Sequence, residues 1–239
     1  TISKFTQGIA NYLNNTLKKE NKTIIIAYDN RRNSKFFSEQ VAKVFSANNF
    51  NVLIFDDVRP TPLLSFSIRH FNADGGIMIT ASHNPPEYNG YKVYNSFGGQ
   101  IVPPDDKKIS ESIKKLNFNE IKWDNKKKKV KIIDNNFDKI YFQKIISNSV
   151  LKKNNRQNLK IVYSSLHGTG IKSIPPLLNE AGYKDINLVE NQCFINENFL
   201  NTNSSNPEDK SAFEQTIILA DKINGELVIT TDPDADRLG

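Results

Sequence analysis

Residues 23–55 read TIIIAYDNRRNSKFFSEQVAKVFSANNFNVLIF. Two β-branched apolar runs, TIIIAY (23–28) and NVLIF (51–55), enclose a segment in which Val41, Val44 and Phe45 fall at helical spacing. Ser38 stands ahead of that pattern as a candidate N-cap, so a helix is expected over 38–49. A short apolar strand, a helix and another short strand are the unit of an α/β layer with mostly parallel strands.

The alternation continues on both sides. TISKFTQGIANYL at the start predicts an amphipathic helix with Phe5, Ile9, Tyr12 and Leu13 on one side. TPLLSFSIRHFN (61–72) opens with Thr61 and Pro62, a favoured cap and first-turn pair. GGIMIT (75–80) reads as a third strand, YKVYN (91–95) as a fourth closed by a Gly98-Gly99 turn, and PPDDKKISESIKKL (103–116) as a helix starting at its prolines. Residues 117–135 are Asn/Lys-rich and weakly patterned, which predicts a boundary there. FDKIYFQKIISNSVL (137–151) then predicts a linking amphipathic helix. A second series follows: LKIVYSS (159–165), a helix over 171–181, INLVE (186–190), a helix over 207–221 with Glu208 and Asp209 near its positive end, and ELVIT with its core at 227–230. The expected architecture is two consecutive α/β domains, residues 1–134 and 135–239, each a mostly parallel mixed sheet packed between helices.

Composition narrows the class. Of 239 residues, 38% are hydrophobic and 24% charged, enough for a real core. The one cysteine, Cys193, excludes an intramolecular disulfide and a cysteine-rich metal site, which fits a reducing compartment. There is no apolar run of membrane-spanning length and no signal-peptide pattern, so a cytoplasmic protein without a membrane partner is expected. The net charge is +6, with its densest block in KKKKVK (126–131). A nucleic-acid surface would interleave such a block with aromatic groups or Arg forks. This one sits in an Asn-rich connection, so a solvated loop and no nucleic-acid partner are expected.

Two strand ends carry the polar density: TASHNPPEYNGYK after GGIMI, and TDPDADRLG after ELVIT. Ligands of open α/β sheets bind outside the carboxyl ends of strands. Asp232, Asp234 and Asp236 alternate, so in an extended loop their carboxylates share a side. Three converging carboxylates repel unless a cation lies between them, and an all-oxygen set favours a hard one. A calcium helix–loop–helix would need a glycine after the third aspartate and a distal glutamate, so Mg²⁺ is the better reading. DPDAD alone reads equally well as a capped, solvated turn. Arg237 directly after it shifts the balance towards metal plus phosphate.

Ser82 stands beside His83, but adjacent side chains in an extended loop point apart, and no GxSxG elbow precedes it. A hydrolytic triad would have to recruit His70 or His167. The other way for a serine to react is to carry a phosphoryl group, which brings roughly −1.5 to −2 charge and three acceptor oxygens. DPDADR would supply its cation, His83 and Asn84 local donors, and Lys92 a second positive group. Lys92 follows an Asn89-Gly90 turn that would bring it back towards Ser82, and a lysine near a cation and an arginine can have its pKa lowered for acid–base work. Taken alone, SHNPP is simply a rigid turn.

ITASHNPPEYNGYKVY together with TTDPDADRLG resembles the α-D-phosphohexomutase superfamily, with the phosphoglucomutase/phosphopentomutase branch the most similar. VYSSLHGTG (162–170) and SNPED (205–209) resemble further landmarks of that branch in the same order. The resemblance implies that Ser82 is a phosphoserine exchanging its phosphoryl group with a sugar phosphate through a bisphosphate intermediate. It also implies one Mg²⁺ held by Ser82, Asp232, Asp234 and Asp236, Lys92 as general acid/base, and His83 at the transferring group. Arg237, Asp236, Asn84, Lys92 and His83 would meet the substrate, and a glucose 1,6-bisphosphate-type molecule would act as activator. His167 and Arg31 match family landmarks whose implied role is structural as readily as ligand-binding. A phosphoglucomutase is the implied activity, with phosphopentomutase or phosphomannomutase as alternatives; a phosphatase or kinase-like phosphoryl transferase could use the same triad. A non-catalytic anion- or nucleic-acid-binding fragment is the alternative of another class. Family members are about twice this long and have four domains, so a fragment covering the first two, inactive by itself, is the expectation.

Overall fold

The computed structural model describes residues 1–124, 126, 128–150, 156 and 158–239. Lys127 of the lysine block and Leu151 of the expected linking helix lie outside the described residues. The first part of the chain runs through α1 (Ile2–Thr16), β1 (Lys22–Tyr28), α2 (Ser34–Ala47), β2 (Phe50–Phe55), α3 (Thr61–His70), β3 (Gly75–Ile79), β4 (Tyr91–Asn95), α4 (Asp105–Lys114), β5 (Val130–Ile133) and α5 (Asn136–Ser147).

These strands form one sheet in the order β4-β3-β1-β2-β5. β1 pairs in parallel with β2 (Ile24 opposite Val52) and with β3 (Ile26 opposite Ile77), and β2 pairs in parallel with β5. β4 alone runs antiparallel, with Lys92 opposite Met78. Burial follows the period-two pleat. Ile24, Ile26, Val52, Ile54, Ile77 and Ile79 face a core shared with Ile9, Val41, Phe45 and Ile109 of α1, α2 and α4. Ile25, Ala27, Phe55 and Met78 face the opposite core, built on Leu63, Leu64 and Ile68 of α3 and Phe137 of α5. The long β-branched run of β1 thus reflects burial on both faces.

The second part comprises β6 (Ile161–Ser164), α6 (Ile174–Glu180), β7 (Ile186–Leu188), α7 (Glu214–Ile223) and β8 (Leu227–Thr230). Its parallel sheet has the order β7-β6-β8. Val162, Val189 and Ala220 centre the core, with Leu219, Ile223 and Val228 packed against it. No described helix is long and apolar enough to cross a membrane.

Several boundaries differ from the sequence reading. α2 begins at Ser34 behind a left-handed Asn33 (φ 64°), not at a Ser38 cap; the Ser38 hydroxyl instead donates back to the Lys35 carbonyl. In α3, Pro60 takes the cap position and Thr61 is the first helical residue. The weakly patterned stretch before residue 135 contains β5, an edge strand joined to β2 with Lys131 and Ile132 exposed; part of the lysine block is therefore sheet. The helix expected over 171–181 divides into a 3₁₀ turn, Thr169–Lys172, and α6. That expected over 207–221 begins as a 3₁₀ turn at Lys210–Phe213 and becomes α-helical only at Glu214. Phe5 of α1 is 38% exposed. The helix instead turns Gln7 inward, where its amide exchanges two 2.8 Å hydrogen bonds with the Asn48 amide.

Candidate active site

Strand β3 stops at Ile79 and delivers Ser82 to the carboxyl edge of the sheet. The Thr80 hydroxyl accepts the Ser82 N–H at 2.8 Å, and Ser82 takes a left-handed conformation (φ 54°), costly for a residue with a Cβ. The loop beyond is held from beneath by Arg31, which leaves the end of β1. Its guanidinium donates to the carbonyls of Ser82, Asn84, Pro85 and Tyr88. Its Nε lies 3.2 Å from the Asp29 carboxylate, and its plane lies 5.0 Å from the Phe199 ring centroid of the second part. Burial raises the Asp29 carboxyl to about 6 against the opposing pull of Arg31. Arg31 is therefore the scaffold of the serine loop, with both terminal guanidinium nitrogens spent on backbone carbonyls.

The second loop meets the first across the two sheets. The Ser82 hydroxyl donates to Asp232 Oδ2 at 3.0 Å. The other Asp232 oxygen accepts the N–H groups of Asp236 (3.1 Å) and Arg237 (3.0 Å), closing the turn. One carboxylate oxygen from each of Asp232, Asp234 and Asp236 lies within 4.8 Å of the others. Asp232 and Asp234 are both fully buried. Burial first, and Asp234 next, push the Asp232 carboxyl up to about 8. Burial alone would raise Asp234 too, but the Lys92 charge and the hydrogen bonds from Lys92 and Thr61 outweigh it and hold Asp234 below the usual range. Asp234 Oδ1 is buried with no hydrogen-bond partner among the described residues. Crowded carboxylates with an orphaned oxygen fit a hard divalent cation.

Lys92 does return to the site, carried by the antiparallel β4. Its ammonium donates to Asp234 Oδ2 at 2.9 Å and Asp236 Oδ2 at 3.1 Å. Burial would lower its pKa, but the two carboxylates raise it overall. Thr61, which the sequence analysis read only as a helix cap, gives its hydroxyl to Asp234 Oδ2 at 2.7 Å and its N–H to the Asp234 carbonyl at 2.9 Å.

Other sequence-selected residues are placed differently. His83 Nδ1 is buried with no hydrogen-bond partner among the described residues, while the His83 carbonyl accepts from the Ser205 hydroxyl of the SNPED segment at 2.7 Å. The Asn84 side chain is exposed. Arg237 points to Glu208, 3.0 Å away. His167 is fully buried, its ring nitrogens on the Phe194 and Leu200 carbonyls. His70 sits in an aromatic cluster with Phe66, Phe71 and Phe137. Neither of these two histidines serves Ser82 as the base of a hydrolytic triad.

The LHGTG loop supports the aspartate loop directly. The N–H and hydroxyl of Thr169 both donate to the Pro233 carbonyl, at 2.8 and 3.0 Å. A Cβ at Gly168 would stand 2.5 Å from the Pro233 Cα and 2.9 Å from the Asp232 carbonyl oxygen. Gly168→Ala is therefore expected to displace the aspartate loop and cost about 1–3 kcal/mol, read from the urea midpoint at unchanged slope. An unchanged midpoint would show that the two loops are not in this contact.

Residues 1–120 match the phosphoglucomutase/phosphomannomutase alpha/beta/alpha domain I, and residues 139–239 match domain II of the same family. Phosphoglucomutases of Staphylococcus saprophyticus and Staphylococcus aureus are 37% and 39% identical to the whole chain, which spans 44% and 43% of their lengths. In fold, a phosphomannomutase-type protein of Thermus thermophilus superposes with a TM-score of 0.86 at 22% identity, over 100% of this chain and 52% of that one. A phosphoglucomutase/phosphomannomutase family protein of Burkholderia thailandensis does so at 0.79 and 20% identity, over 100% and 49%. With both domain matches in sequence order and the two loops meeting where those domains adjoin, the chain belongs to the phosphoglucomutase/phosphomannomutase family.

Proposed function

We propose that this site is the phosphoryl-transfer centre of a phosphosugar mutase, with Ser82 as the phosphoserine. The supporting observation is the 3.0 Å contact between Ser82 Oγ and Asp232, residues 150 positions apart, at the edge of a three-carboxylate cluster. Asp232, Asp234, Asp236 and an oxygen of the Ser82 phosphate would hold Mg²⁺, which when bound neutralises charge on the transferring group.

In the first half-reaction a sugar hydroxyl oxygen forms a bond to phosphorus as the Ser82 Oγ–P bond breaks. The hydroxyl loses a proton and Ser82 Oγ gains one; Lys92, tethered to Asp234 and Asp236, relays it. The resulting bisphosphate turns over, and the reverse steps return its other phosphoryl group to Ser82. His83 and Asn84 contact the transferring group. Arg237 takes the sugar phosphate by leaving Glu208, an exposed pair whose loss costs under about 1 kcal/mol. Glucose 1-phosphate and glucose 6-phosphate are the favoured pair, because the relatives at 37–39% identity bear the name phosphoglucomutase. A glucose 1,6-bisphosphate would charge a dephosphorylated Ser82.

The test is phosphoryl uptake. Uptake onto Ser82 is a single half-reaction, distinct from the full turnover not expected of this chain by itself; incubated with glucose 1,6-bisphosphate and Mg²⁺, the chain is expected to gain the mass of one phosphoryl group, located on the peptide containing Ser82. Uptake on another residue would refute the assignment, and rapid loss of that group to water instead of glucose 6-phosphate would indicate a phosphatase. Asp234→Asn should weaken Mn²⁺ binding more than about 100-fold, beyond the range for outer-shell changes. Calorimetric titration showing an unchanged Kd would remove Asp234 from the cation site.

A further inference from the structure

We infer that Thr61, at the start of α3, is a positioning residue that orients the Asp234 carboxylate for a divalent cation. The inference rests on the reading of the three aspartates as a cation site. Asp234 Oδ2 accepts from both the Thr61 hydroxyl, at 2.7 Å, and the Lys92 ammonium, at 2.9 Å. A carboxylate oxygen has about two lone-pair sites, so Oδ2 is fully engaged. The Thr61 N–H, 2.9 Å from the Asp234 carbonyl, fixes the backbone on which that carboxylate turns. Rotation is thereby stopped with Oδ1 as the uncommitted oxygen, buried and without a hydrogen-bond partner among the described residues. An orphaned buried acceptor is costly. A cation at Oδ1 relieves that cost, and a carboxylate held in place loses less entropy on taking it.

Bulk solvent has little access to this contact, with Thr61 5% exposed beside a fully buried Asp234. The clamp is also stiff. Pro62 follows it in the first turn, and Leu63 and Leu64 anchor α3 with no exposure. Thr61 belongs to the first sheet's layer and Asp234 to the second, so cation affinity would depend on how the two parts dock. Outer-shell partners of this kind are worth 10–100-fold in metal affinity.

The test is Mn²⁺ binding to the 239-residue chain, read by electron paramagnetic resonance and calorimetry, for wild type, Thr61→Val and Thr61→Ser. Valine keeps the shape and removes the donor; its Kd is expected to rise about tenfold or more. Serine keeps the hydroxyl and is expected to retain the wild-type Kd and spectrum. If the valine protein fails to fold, Thr61→Ala takes its place. A lowered melting temperature with an unchanged Kd would make Thr61 a merely structural residue and overturn the inference. A wild-type chain that takes up no Mn²⁺ would remove the cation reading itself, and this inference with it.

Discussion

Ser82→Ala is expected to accept no phosphoryl group from glucose 1,6-bisphosphate, with uptake falling on the order of 10⁴-fold or more, as when a covalent nucleophile is removed. Ser82 Oγ is the group that meets Asp232, and the nearby Thr80 hydroxyl is occupied by the Ser82 N–H. Intact mass after incubation checks the result directly; a residual gain of one phosphoryl group would place the chemistry elsewhere. The fold should survive, because Arg31 holds the loop through carbonyls that alanine retains. The left-handed backbone at Ser82 adds a second expectation. Ser82→Gly, equally unable to carry phosphate, should be more stable than Ser82→Ala by about 1 kcal/mol.

Arg31→Leu is expected to produce the largest loss of stability. It removes the donor to four loop carbonyls and leaves Asp29 buried opposite an aliphatic chain. Breaking a buried ion pair by deleting one partner costs about 3–5 kcal/mol. For a chain of this size each kcal/mol lowers the melting temperature by about 2–4 °C, so a fall of about 6–20 °C is anticipated. Arg31→Lys should recover little of it, since one ammonium cannot span the carbonyls that the guanidinium fork reaches. A double change, Asp29→Asn with Arg31→Leu, should be milder than Arg31→Leu alone because no charge is left unpaired. A melting temperature unaffected by Arg31→Leu would show that the serine loop does not depend on this residue.

The α/β class, every described strand except β5 and the two polar strand-end loops could be read from local pattern. β1 announces itself as TIIIA because both of its faces are buried; the alternating aspartates do converge, but through a tight turn with a left-handed Ala235 (φ 51°) and the Ala235 N–H on the Asp232 carbonyl, not through the expected extended loop. β5 escaped notice for a physical reason. VKII follows a run of lysines and pairs on a single edge beside β2, so two of its side chains stay exposed and no apolar stripe marks it. The late start of α7 has a comparable cause. Ser205 is tied across to the His83 carbonyl, and the chain from there to Lys210 follows that contact instead of its Pro-Glu-Asp helix signal.

The sequence by itself determined which groups the site contains: a serine on a strand-end loop, three alternating carboxylates, a lysine behind an Asn-Gly turn. Their types and short-range spacing follow from chemistry that is local in the chain. Only the tertiary structure decided how they are used. It joined Ser82 to Asp232, made Lys92 an ion-pair partner of Asp234 and Asp236, turned Arg31 into the scaffold of the serine loop, and placed Thr61 on Asp234. Those contacts span 51 to 173 residues and end largely on single carboxylate or backbone oxygens, which leave no pattern in a linear sequence.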